Sequence, residues 1–212
     1  MALAERPLRI VILAKAPISG FAKTRLIPAL GEDGAARLAE KFMQHTVAEA
    51  LAAQVGQVEL CVTPGPDASA WAAFEFPDLD WSSQGEGDLG SRMASCARNV
   101  LDNGESIMLI GTDCPALDQT VLRSAAQSLA ANDACLLPVL DGGYALLGLN
   151  RFDSSIFSDI PWSTDRVSEI TRHRISNLGW SCAVQPTLAD IDEPADLARL
   201  PRIFLPEGDE PA

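Results

Sequence analysis

Two stretches of the chain, Leu8–Ala14 (LRIVILA) and Ser106–Gly111 (SIMLIG), are nearly unbroken apolar runs rich in Ile, Leu and Val. A strand with no polar face needs cover on both sides, which is the signature of a central strand in an α/β sheet. The segments around these runs repeat the same alternation. Gln57–Thr63 (QVELCVT), Ala134–Leu140 and Tyr144–Leu149 read as further strands, the last two flanking a tight Asp141-Gly142-Gly143 turn. A weak strand is expected near Trp81 and a late one over Ser181–Gln185.

Helical spacing fills the intervals. Gly34–Gln54 carries Leu38, Phe42, Val47 and Leu51 on roughly one face, and a short helix fits Asp67–Phe74. Further helices are expected from the Gly85–Gly90 loop to about Asn103, from Leu117 or Asp118 to about Ala131, over Thr164–Leu178 and over Glu193–Leu200. Strands alternating with helices imply an α/β sandwich with a mainly parallel sheet. At 212 residues, without internal repeats or a long linker, the chain is expected to form one domain. The acidic, Pro/Gly-rich tail Pro206–Ala212 is expected to be disordered.

Charge then narrows the function. With 16 Lys+Arg against 29 Asp+Glu, the formal net charge is −13, which disfavours a broad nucleic-acid-binding surface. A phosphate ligand would need a local basic pocket or a bridging cation. No apolar run reaches the roughly 20 residues of a membrane span. Met1–Pro7 lacks the basic start and long apolar stretch of a secretion signal. The five cysteines (Cys61, Cys96, Cys114, Cys135, Cys182) are odd in number and widely spaced, so no disulfide framework or zinc ribbon is expected, and a reducing cytoplasm fits best.

In sheets of this class ligands bind beyond the carboxyl ends of the strands, so polar residues just after the strands are the candidates. Two nucleotide motifs fail on inspection. Gly85-Glu86-Gly87-Asp88-Leu89-Gly90 spells G-x-G-x-x-G, but it follows a poor strand and carries two acids that would oppose a pyrophosphate. Ala22-Lys23-Thr24 ends like a P-loop, but Ala22 and Pro17 occupy its glycine positions.

What remains is a set of segments. Lys15 to Arg25 holds three of the 16 basic residues in 11 positions, in a loop with Ala16, Pro17 and Gly20, which suggests a seat for phosphates. Gly111-Thr112-Asp113-Cys114-Pro115 puts a carboxylate after a buried strand, fit either for Mg²⁺ or for a turn or cap. Asp190-Ile191-Asp192-Glu193-Pro194 is a carboxylate cluster before a helix, in which Asp192 fits a metal ligand, an N-cap or both. Asp141-Gly142-Gly143-Tyr144 fits a hairpin turn, and Trp162-Ser163-Thr164 fits packing plus a helix cap. Trp71, Trp81 and Trp180 read as packing, and His45 and His173 belong to no metal spacing or triad.

KAPISGFAKTRL, QGEGDLGSRM, GTDCP, DGGYALLGL, WSTDRV and DIDEPADL occur in an order that resembles a family of small GT-A-like transferases of poorly defined activity (DUF2064-like). That family is usually described as glycosyltransferases or nucleotide-diphospho-sugar transferases. It is similar to the guanylyltransferase of phospholactate activation and to the molybdenum-cofactor nucleotidyltransferases. The resemblance spans about Leu8 to Leu200. It implies a single-domain GT-A fold over residues 1–205, a three-layer α/β/α sandwich with a mixed, mainly parallel sheet, and Mg²⁺ or Mn²⁺ as cofactor.

The resemblance also implies roles. Lys15, Ala16, Pro17 and Gly20 would form the nucleotide loop, with Lys23 and Arg25 on the phosphates. Gln84, Gly85, Asp88, Leu89 and Gly90 would lie along base and ribose. Asp113 and Asp192 would hold the metal, and Lys23, Arg25 and the Asp113/Asp192-bound metal would share the developing charge, which makes Lys23, Arg25 and Asp113 the catalytic candidates. Asp141, Gly142, Gly143, Tyr144, Trp162, Ser163 and Thr164 would face the second substrate. The loop departs from the Gly-rich form of related nucleotidyltransferases, because Pro17 and Ser19 sit within it.

The expected function is Mg²⁺-dependent nucleotidyl transfer from an NTP to a small phosphorylated or hydroxyl acceptor, with release of pyrophosphate. Glycosyl transfer from a nucleotide-diphospho-sugar is the close rival, and a non-turnover nucleotide-sensing or partner-binding domain is the third possibility. The expected partners are the nucleotide and a small acceptor, and the protein would act as a monomer or a homodimer.

Overall fold

The computed structural model describes residues 6–74, 76 and 79–204. The tail at 206–212, for which disorder was expected, and residues 1–5 lie outside them. Seven strands form one sheet: β1 (Leu8–Lys15), β2 (Gln57–Thr63), β3 (Asp80–Ser83), β4 (Ser106–Ile110), β5 (Ala134–Pro138), β6 (Tyr144–Leu149) and β7 (Cys182–Val184). Their order is β3-β2-β1-β4-β6-β5-β7. β6 runs antiparallel to β4 and β5, and every other pairing is parallel. This is the mixed, mainly parallel sheet expected.

Four helices cover it: α1 (Ile27–Ala53), α2 (Leu89–Asp102), α3 (Gln119–Ala130) and α4 (Val167–Asn177). One face packs against α1 and α3, where Met43, Val47, Leu122 and Leu129 meet Ile10, Ile12 and Leu60. The other packs against α2 and α4, where Met93, Ala97, Val100 and Ile175 meet Val11, Ile107 and Leu109. Alternate residues of β1 thus feed opposite cores, as expected of a strand apolar on both faces.

Several boundaries differ from the sequence reading. α1 begins at Ile27, seven residues before Gly34, because Pro28 sits in the first turn, where a missing N–H costs nothing. Gly31 then leaves helical geometry (φ 71°, ψ 168°), so the helix kinks there. The short helix near Asp67–Phe74 is a 3-10 turn over Ser69–Trp71, and the last helix is a 3-10 segment over Pro194–Arg199. α2 and α3 start where acidic caps place them: Asp88 accepts from Ser91 N and Asp118 from Val121 N. No helix among the described residues is long and apolar enough to cross a membrane.

Candidate functional site

β1 pairs with β2 on one side and β4 on the other, so successive crossovers leave β1 in opposite directions. That switch point opens a crevice at the carboxyl ends of β1 and β4. A third apolar cluster lies beside it. Leu26 from the loop after β1 and Ile191 from the segment after β7 are both buried against Phe42 and Leu38 of α1. Anchoring these two side chains brings their neighbours, Lys23–Arg25 and Asp190–Asp192, face to face.

Lys23 is the most constrained cation here. Its backbone is left-handed (φ 44°, ψ 48°), an uncommon state for a non-glycine residue, and such outliers persist where surrounding structure enforces them. The side chain is 5% exposed. Its ammonium lies 2.6 Å from Asp113 Oδ1 and 3.9 Å from Asp192 Oδ1. It also donates to Ile191 O (2.6 Å) and sits over the Phe42 ring, 5.1 Å from the centroid. The two carboxylate oxygens therefore stand no farther apart than those two legs laid end to end. Two oxygens on one Mg²⁺ lie at most about 4 Å apart, so small side-chain rotations suffice for the pair to share an ion. Arg25 donates to Asp192 Oδ2 at 3.0 Å.

Burial, then Asp113, pushes the Asp192 carboxyl above its ordinary range, against the pull of Lys23 and Arg25. The expected N-cap role of Asp192 is taken by Glu193, which forms a capping box with Asp196. The Asp192 N–H also donates to Asp196 Oδ2 (3.2 Å), but its carboxylate takes no part in the cap.

A cavity of about 480 Å³ extends from this centre, a size suited to a small ligand. Of the residues expected at the site, Lys15, Lys23, Gln84, Leu89, Asp113, Asp141, Gly143, Tyr144, Trp162, Ser163, Thr164 and Asp192 line it. Ala16, Pro17, Gly20, Arg25, Gly85, Asp88, Gly90 and Gly142 do not, although several shape it. Gly90 lets the chain close: a Cβ there would stand 2.4 Å from Phe157 O and 2.9 Å from Trp162 Nε1. Gly142 (φ 89°) does the same on the far side, where a Cβ would meet Asp165 O at 2.1 Å. The segment from Phe157 to Asp165 therefore rests on both glycines.

Gln84 is buried, and its amide nitrogen donates to Ala14 O (2.9 Å) and Cys61 O (3.0 Å). Its oxygen accepts from Arg92 Nη1 at 2.8 Å. Gln84 thus clamps β1 to β2 and fixes Arg92 in the cavity wall. The hairpin reading of Asp141-Gly142-Gly143 holds locally, with Asp141 Oδ1 accepting from Gly143 N (2.7 Å). Trp162-Ser163-Thr164 does not cap α4: the cap position is Arg166, with no side-chain bond, and the Thr164 hydroxyl turns to Pro161 O.

Two charged lining residues received no role from the sequence, Arg92 and Asp190. Arg92 lies within QGEGDLGSRM and Asp190 opens the carboxylate cluster, but nothing in one sequence shows that either faces the cavity. Burial, then Asp141, pushes the Asp190 carboxyl up to about 6.

For a divalent cation, the donor set is two carboxylates converging on one positive charge. Mg²⁺ usually takes one or two carboxylates and completes its shell with water and phosphate, so Asp113 and Asp192 fit such a site. An all-protein cage does not fit, since no group of three or more His, Cys, Asp or Glu among the described residues could hold a metal.

The fold and this crevice define a sandwich of the nucleotide-diphospho-sugar transferase type. The chain belongs to the family described as an uncharacterized protein conserved in bacteria (DUF2064), which it matches over residues 46–164. A Desulfovibrio desulfuricans protein, provisionally named a nucleotide-diphospho-sugar transferase, is 28% identical, with a TM-score of 0.85 over 95% of this chain and 89% of that one. CMP:2-keto-3-deoxy-manno-octonic acid synthetase complexed with CTP shares the fold at 13% identity, with a TM-score of 0.58 over 91% of this chain and 96% of that one. A Mycobacterium tuberculosis protein in complex with manganese does so at 17% identity, with a TM-score of 0.58 over 92% and 98%. No curated protein matches the chain.

Proposed function

We propose that this chain is a nucleotide-dependent transferase and that its preferred chemistry is nucleotidyl transfer. The observation that carries the reading is the convergence of Lys23, Arg25, Asp113 and Asp192 at the sheet's switch point, beside a cavity of about 480 Å³. An acceptor oxygen attacks the α-phosphorus of an NTP, its P–O bond forms as the bond to the leaving oxygen breaks, and pyrophosphate departs. Such chemistry is positioning and charge neutralisation, and it needs no covalent nucleophile.

The roles are those that the family resemblance implies. Lys15, Ala16, Pro17 and Gly20 shape the loop over which the phosphates lie. Lys23 and Arg25 turn from their carboxylates to the phosphate oxygens when these arrive and stabilise the developing charge, while Asp113 acts by holding the cation that would share it. Gln84, Gly85, Asp88, Leu89 and Gly90 border base and ribose. Asp141, Gly142, Gly143, Tyr144, Trp162, Ser163 and Thr164 face the acceptor. Asp113 and Asp192 would hold Mg²⁺ or Mn²⁺, which when bound neutralises phosphate charge and polarises phosphorus.

Glycosyl transfer from a nucleotide-diphospho-sugar is the second reading. It is favoured by the provisional name of the Desulfovibrio relative and by the Asp141 and Asp190 carboxylates of the cavity wall, which form no ion pair among the described residues. The test is the leaving product from panels of NTPs and nucleotide-sugars with Mg²⁺. Pyrophosphate supports the first reading and nucleoside diphosphate the second. Ligand binding without either product would make the protein a non-catalytic nucleotide-binding domain.

A further inference from the structure

Three side chains of α1 reach the centre from outside the cavity. Phe42, His45 and Glu49 are spaced by three and four positions, so they stand above one another on one helical face. The Phe42 ring lies beneath the Lys23 ammonium, 5.1 Å from it. His45 Nε2 bonds to Pro115 O at 3.0 Å, and Glu49 Oε2 accepts from Gln119 N at 2.7 Å. A carbonyl only accepts, so the first bond requires the hydrogen on Nε2.

Pro115 and Gln119 belong to the passage from β4 into α3, the passage that carries Asp113. Its other side is tied to the residues after β7, where Ile191 N donates to Asp113 O at 2.9 Å and Cys114 Sγ to Ala189 O at 3.4 Å. Asp113 therefore hangs between two supports, the Ala189–Ile191 segment and α1. Pro115 has no N–H, so its carbonyl is the backbone group by which α1 can hold that position.

Phe204 backs the stripe. It is buried, and its ring meets Phe42 at 4.9 Å and His45 at 5.2 Å, both edge to face. Lys41 Nζ donates to its carbonyl at 3.4 Å. One ring thus supports both the residue beneath Lys23 and the residue that holds Pro115, while Lys23 and Asp113 themselves stand 2.6 Å apart. Neither His45 nor Phe204 lines the cavity.

We infer that His45, buttressed by Phe204, is a positioning residue: it fixes the Asp113 segment relative to Lys23, so that the carboxylate is preset for a divalent cation, and touches neither cation nor nucleotide. The inference rests on the transferase reading and extends it to residues outside the cavity.

The test separates the ring from its N–H. His45→Phe keeps a ring against Phe204 but donates nothing, His45→Gln returns an N–H donor, and Phe204→Ala removes the buttress. ATP, CTP, GTP and UTP are titrated by calorimetry with and without Mg²⁺, Mn²⁺ alone is titrated by electron paramagnetic resonance, and circular dichroism checks folding. For the NTP that binds best, His45→Phe should lower Mg²⁺-dependent affinity about ten-fold and leave affinity without Mg²⁺ unchanged. Mn²⁺ affinity should fall in parallel, Phe204→Ala should show the same split, and His45→Gln should recover most of the loss. Unchanged affinities in His45→Phe, an equal loss with and without Mg²⁺, or no recovery in His45→Gln overturns the inference. Failure of the transferase reading looks different: wild type binds neither NTP nor Mn²⁺. Hydrogen exchange at the Asp113 and Cys114 amides then decides for His45, since it should quicken in His45→Phe, recover in His45→Gln, and stay unmoved if the segment is held without it.

Discussion

β1 has a cation ringed by carboxylates near each end, and the two rings do different work. Near the amino end Arg9 holds Glu59 at 3.3 Å, Asp80 at 2.6 Å and Glu105 at 3.2 Å. Its Nε, Nη1 and Nη2 are all engaged, and it does not line the site cavity. Burial opposes the Arg9 charge, but bonds to Asp80 and Glu105 outweigh that and hold the guanidinium still more firmly protonated. Beyond the carboxyl end, Lys23 and Arg25 hold Asp113 and Asp192, but Asp141 and Asp190 stand beside them with no cation, and a cavity opens. An ion-pair cluster alone does not mark a site. Unpaired carboxylates beside a cavity, next to a cation held in left-handed backbone, do.

The largest effect should come from Arg9→Met, which leaves three carboxylates clustered around no charge. A loss of about 3 kcal/mol is expected in urea denaturation, with nucleotide affinity of the folded protein unchanged. A fall in affinity without loss of stability would break the comparison. Asp113→Asn should do the reverse. Mg²⁺-dependent nucleotide affinity should drop on the order of 100-fold, while stability moves by less than about 1 kcal/mol, since Asp113 is half exposed.

The smallest effect sharpens the structural side. Asp133, before β5, is held below its ordinary range chiefly by Ser181 N–H, against the penalty of burial and with help from the Ser181 hydroxyl and Arg151. A depressed carboxyl contributes stability above its unfolded pKa, near 3.8, and loses it as pH falls through the lower folded value. Asp133→Asn should therefore be less stable than wild type at pH 7, and the gap should close below pH 3.8. Denaturation at both pH values checks this.

Much of this was legible in the sequence because the signals were local. β1 and β4 announce themselves as apolar runs, and the start of α3 near Asp118 was read within a residue or two of where its cap stands. The start of α1 was not, because Pro28 and Gly31 punctuate a loop as readily as a first helical turn. The pairing of Lys23 with Asp192 spans 169 positions and depends on Leu26 and Ile191 sharing one apolar cluster. No periodicity encodes that. Arg92 and Asp190 escaped for the same reason: their orientation is set by Gln84 and by the Val139–Leu188 bridge.

The central claim is that the loop carrying Lys23 and Arg25 seats a chain of phosphates. Isothermal titration of NMP, NDP, NTP and nucleotide-sugar against wild type, Lys23→Ala and Arg25→Ala, at one salt and Mg²⁺ concentration, tests it most directly. Wild type should bind the triphosphate far more tightly than the monophosphate of the same base. Each variant should lose about one to two decades on the triphosphate, the worth of one charge-assisted hydrogen bond of roughly 1.5–3 kcal/mol, and much less on the monophosphate. Equal affinities for all four ligands, unmoved by either substitution, would contradict the claim and the functional reading built on it.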